Sequence, residues 1–77
     1  MEMVDVLIHV HPDLSAEARA KIVKDLQACK GVISACFGGH QEYPHAAMVV
    51  YDSDSIHATQ ILAAARLSDP AAALIGL

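Results

Sequence analysis

The sequence predicts an α+β domain: one antiparallel sheet with two helices on one face, in the order β-α-β-β-α-β. Three observations carry this. Residues 3–11 alternate, with Val4, Val6, Ile8 and Val10 on one side and Met3, Asp5, Leu7, His9 and His11 on the other. Ala18, Ile22, Leu26 and Cys29, with Val23 beside them, then recur at helical spacing as one buried stripe. The same strand-and-helix succession returns in the second half, with a strand over 45–51 and an apolar helical run from Ile56 to Leu67.

Each element has its own start and stop. Pro12 ends the first strand, because it lacks an N–H and fixes φ. Ser15 is an N-cap for helix 1, and Glu17 suits the positive end of its dipole. Gly31 reads as the residue just past that helix. Val32 to Phe37 forms the second strand, with Ile33, Ala35 and Phe37 on one face and Val32, Ser34 and Cys36 on the other. Residues 38–44 are turn chemistry. His45 to Tyr51 is apolar on both faces and therefore central in the sheet, with Ala47, Val49 and Tyr51 on one face and Met48 and Val50 on the other. Asp52 to Ser55 offer N-caps for helix 2, whose apolar face takes in Ile56, Gln60, Ile61, Leu62, Ala63, Ala64 and Leu67. Ser68-Asp69-Pro70 stops it, and Ala71 to Leu77 supplies a fourth strand. The arrangement is ferredoxin-like. It leaves Leu7, His9, Cys36, Met48 and Val50 on the sheet face away from the helices, a partly apolar surface.

At 77 residues the chain is one domain, 1–77. A domain of this size buries only about 60% of the surface its unfolded chain exposes. Its core is poor in aromatic mass, with Phe37, Tyr43 and Tyr51 the whole supply. The net charge is −4. Residues 13–30 set Arg19, Lys21, Lys24 and Lys30 against Asp13, Glu17 and Asp25, so a mildly positive helix lies on an acidic body. Without a dense basic stripe, nucleic acid is not an expected partner. No apolar run approaches a membrane span, so no membrane association is expected. The acidic start, Met1-Glu2-Met3-Val4-Asp5, has no signal-peptide core, which points to a small soluble cytoplasmic protein with free thiols.

Leu26-Gln27-Ala28-Cys29-Lys30-Gly31-Val32 and Met48-Val49-Val50-Tyr51-Asp52-Ser53-Asp54 carry a resemblance. The first is similar to the helix-end Leu-x-x-x-x-Gly-Val of the heavy-metal-associated (HMA) domain family of metallochaperones and transporter modules. The second is similar to that family's third strand running into Tyr-Asp-Pro-Asp. Ile56 and Ile61 fall where the family places apolar residues of helix 2. The resemblance spans most of the chain and implies the ferredoxin-like fold and a metal-handling role. The family's Cys-x-x-Cys loop would fall at Ser15 and Ala18, a hard hydroxyl and a methyl, so its thiolate pair is absent. The Gly-Tyr pair frequent after helix 2 is replaced by Asp69-Pro70.

Local chemistry gathers at His9-Val10-His11. Alternate strand residues point the same way about 6–7 Å apart, and two imidazoles there can share one copper, zinc, nickel or cobalt ion. Cys36, His40 and His45 are candidates to complete the shell, with Asp13 a nearer oxygen donor. The expected metal set is His9, His11, Cys36 and His45. Cys29 reads as a small buried hydrophobe and His57 as solvent-facing. No nucleophile-and-base pair or phosphate-cradling glycine motif is present, so an enzyme is not expected. The alternative function is a metal-independent interaction module, which forms a homodimer or docks a partner protein through its open sheet face or helix 1.

Overall fold

The computed structural model describes residues 2–38, 42–43 and 45–75. The order is β1 (Met3–His9), α1 (Ala16–Gln27), β2 (Val32–Phe37), β3 (Ala46–Asp52), α2 (Ala58–Ala65) and β4 (Ala73–Leu74). The sheet runs β2-β3-β1-β4, every pair antiparallel. This is the expected ferredoxin-like sandwich, with β3 central. Its core is Ile8, Val10, Ile22, Leu26, Val49 and Ile61, all fully buried. Alanines at 35, 47, 65 and 72 fill the positions between them. Small side chains let the helices sit close to the sheet, which is how a chain with so few aromatics closes a core.

Helix α1 starts where its cap demands. The Ser15 hydroxyl accepts from the Ala18 N–H at 3.1 Å. Helix α2 starts later than the sequence suggests. Its N-cap is His57, whose N–H donates to the Gln60 side-chain oxygen at 2.9 Å. Gln60 is thus exposed at the helix start rather than on the apolar face, and Leu67 is 77% exposed. Asp52 is instead the centre of a turn. Its carboxylate accepts from the Asp54 N–H at 3.0 Å, the Ser55 hydroxyl at 3.0 Å and the Glu2 N–H at 3.3 Å.

Three strand expectations are corrected. The β2–β3 register shifts between Val32 and Ser34, so Val32 joins the core side opposite Tyr51 while Ile33 is left 48% exposed. A bulge adds one residue and so exchanges the faces on either side of it. Strand β4 covers Ala73–Leu74, with Ala71 and Ala72 outside it and Ala72 buried against the core; residues 76–77 of the expected strand lie outside the described residues. Strand β1 stops at His9, so His11 is not a strand residue.

Gly31 adopts φ +102°, and a Cβ there would meet Ile56 Cγ2 at 2.9 Å. Gly31→Ala is therefore expected to destabilise the fold by about 1–3 kcal/mol, measured by urea denaturation. The Asp54 N–H, then the Ser55 hydroxyl and Glu2 N–H, hold the Asp52 carboxyl below its usual range, working against desolvation. The lowered value stabilises the fold at neutral pH, and this contribution disappears as the pH falls below about 4. Acid titration of the melting temperature should show the loss, and Asp52→Asn should flatten it.

Candidate metal centre

β1 and β2 run in the same direction, both antiparallel to β3, and β4 runs back from the end where β1 exits. The connections β1–α1, β2–β3 and α2–β4 therefore gather at one end of the molecule. His9, His11 and His45 belong to this end, while His57 at the start of α2 lies at the other.

His9 is the last residue of β1 and faces away from the helices. It stands opposite Ala46 on one side and Ala73 on the other, so its exposed ring is flanked by two methyl groups. His45 immediately precedes β3 and is exposed, next to the residue that His9 pairs with. His11 lies in the loop. Its Nδ1 accepts the Asp13 N–H at 3.1 Å and stands 3.9 Å from Asp13 Oδ2. A neutral imidazole whose Nδ1 accepts a hydrogen bond carries its proton on Nε2. In this state His11 has no free lone pair.

Cys36 shares the open face with His9 but lies elsewhere on it. It pairs with Met48, which in turn pairs with Leu7. Two strand gaps and a two-residue offset separate it from His9, roughly 12 Å between Cα atoms. Bonds of about 2.0–2.3 Å to a shared ion do not span that without movement. Among the described residues, no group of three or more His, Cys, Asp or Glu stands together to hold a metal ion. His40 lies outside the described residues.

Two further side chains shape this end. Asp69, only 6% exposed, accepts the His11 N–H on Oδ2 at 2.9 Å and the Ala71 N–H on Oδ1 at 3.1 Å. Arg19 donates from its guanidinium to the Pro12 carbonyl at 2.9 Å and lies 5.8 Å from the centre of the Phe37 ring. The loop that follows β1 is thus held through adjacent backbone atoms by one side chain from α1 and one from the α2–β4 connection. Sequence reading missed both roles. The available signal for Asp69 was a single acid in an otherwise alanine-rich apolar segment, a setting in which burial demands hydrogen-bond partners.

The open sheet face is less exposed than expected. Leu7 is 3% and Ala46 1% exposed, and Met48 and Val50 are half-buried. The most exposed large apolar side chains are Met3, Ile33, Leu67 and Leu74.

Oxidized MerP from Ralstonia metallidurans CH34, a solved structure, is similar to this chain with a TM-score of 0.79 at 16% identity, covering 97% of this chain and 100% of that one. The likeness supports an HMA-like fold. No family model and no curated protein matches the chain. No helix among the described residues is long and apolar enough to cross a membrane.

Asp69→Ala would strand two N–H groups and should cost about 1–3 kcal/mol in chemical denaturation. Hydrogen exchange at the His11 amide should accelerate beyond what the global loss of stability accounts for. Equal acceleration at every core amide would count against a local role.

Proposed function

We propose that this chain is a small metal-handling protein of HMA type that takes a transition metal ion at its histidine end, through imidazole nitrogens in place of thiolates. The supporting observation is that the topology collects His9, His11 and His45 around the exit of β1. This is the same corner, between β1 and α1, where the resemblance would put the two cysteines, at Ser15 and Ala18. The likeness in fold to MerP adds weight to a metal role. Imidazole is a borderline donor and suits Cu(II), Ni(II), Zn(II) or Co(II) better than a soft monovalent ion does.

Binding requires a local rearrangement that can be stated. A metal that takes Nδ1 of His11 displaces the Asp13 N–H. One that takes Nε2 moves the ring proton to Nδ1, and that position then no longer accepts from Asp13. Either route breaks the same hydrogen bond. Asp13 gains from the exchange, since its exposed carboxylate is free to turn toward the ion. Among the described residues His9, His11 and His45 do not stand together, so binding also requires their exposed rings to close on the ion. Cys36, two strands from His9, would need a larger reorganisation of the open face, and the proposed ligands are the three histidines. Ligands must be unprotonated, so affinity falls on acidification.

The test is calorimetric titration of untagged protein with each of the four divalent ions. Micromolar binding by at least one is expected, weakened at least about tenfold in His9→Ala/His11→Ala. The Asp13 amide resonance should shift on saturation. Silence from all four ions overturns the assignment. A dimer seen by sedimentation in that silent protein would move the reading to a metal-independent module that associates with itself or a partner protein.

A further inference from the structure

Away from the histidine end, the open sheet face places two sulfur side chains directly opposite each other. Cys36 of β2 pairs with Met48 of β3, and Met48 pairs with Leu7 of β1. Ile75 continues this row, its N–H donating to the Leu7 carbonyl at 2.9 Å. Opposed residues of an antiparallel ladder have Cβ atoms about 4.5–5.5 Å apart and project from the same face. A thiolate and a thioether so placed can reach one ion at about 2.3 Å each. Cys36 is an exposed free thiol and Met48 is half-buried, so the pair is open to solvent on one side and backed by the apolar row on the other.

We propose that Cys36 and Met48 form a second site, specific for a soft monovalent ion such as Cu(I), for which Ag(I) is the redox-inert probe. Thiolate and thioether are soft donors and select such ions over zinc, nickel or cobalt. Charge points the same way. One thiolate neutralises one monovalent cation, whereas a divalent ion would keep an uncompensated charge against the apolar side chains of Leu7, Met48 and Ile75. Binding releases the thiol proton to solvent and changes no oxidation state. Among the described residues, the nearest imidazole on this face, His9, is one row away along β1 and two strands from Cys36, so the two sites use different residues. This inference does not depend on the histidine reading.

The experiment titrates Ag(I) into the reduced full chain and follows the methionine methyl resonances, with affinity from competition against a chelator. One equivalent should shift Met48 and leave Met3 in place. Cys36→Ser should abolish binding, and Met48→Leu, close in volume, should weaken it at least about tenfold with the melting temperature little changed. Cys29→Ala and His9→Ala/His11→Ala should bind Ag(I) as the native chain does. The proposal is overturned if Met48→Leu binds as tightly as the native chain, which would leave an ordinary thiol. It is also overturned if binding follows Cys29, the half-buried thiol that donates to the Asp25 carbonyl at 3.4 Å.

Discussion

The hydrogen bond from the His11 N–H to the buried Asp69 carboxylate, 2.9 Å across 58 residues of chain, is the constraint on which the histidine end depends. A carboxylate this far from water must spend its lone pairs on donors, and it finds them in His11 and Ala71. β1 ends at His9, and the His11 N–H beyond it goes to Asp69 instead of to a strand ladder. The chain turns out of the sheet with Val10 still in the core and His11 pointing to solvent. The same carboxylate orders the connection into β4, which explains how a strand of only two residues stays paired with β1.

This arrangement separates the two histidines that sequence spacing puts side by side. His9 remains a sheet residue between two alanines, and His11 becomes a loop residue engaged with Asp13. Arg19 completes the frame by holding the Pro12 carbonyl. The loop backbone is thus tied at His11 and Pro12, while the rings of His9 and His11 are exposed. The His11 ring is engaged by the Asp13 N–H at 3.1 Å and is exposed, so it can turn without repacking the core.

The sulfur row draws on a different property of the sheet. Cross-strand register, rather than loop geometry, brings Cys36 against Met48, and a sheet backbone is the stiffer platform of the two. The half-burial of Met48 and the near-complete burial of Leu7 show that the open face is apolar along this row without presenting a large exposed patch. The two proposed donor sets, imidazole at one end and sulfur across the sheet, differ in softness and, if both bind, would discriminate among ions by chemistry rather than by affinity alone.

Much of this was readable from residues alone. Alternation in β1, the α1 stripe and the Ser15 cap are local signals, and local signals survive folding because the elements form from neighbours in sequence. The central place of β3 followed from its apolarity on both faces. What tertiary structure alone decided were the points where distant groups meet. The His11 N–H, past the end of β1, met Asp69, and a bulge at Ile33 turned Val32 inward. His57, paired with Gln60, rather than Asp52 began α2, and register rather than spacing set which donors are neighbours. Periodicity reports which face a residue prefers, but not the contact 58 positions away that satisfies a buried charge or shifts a strand by one residue.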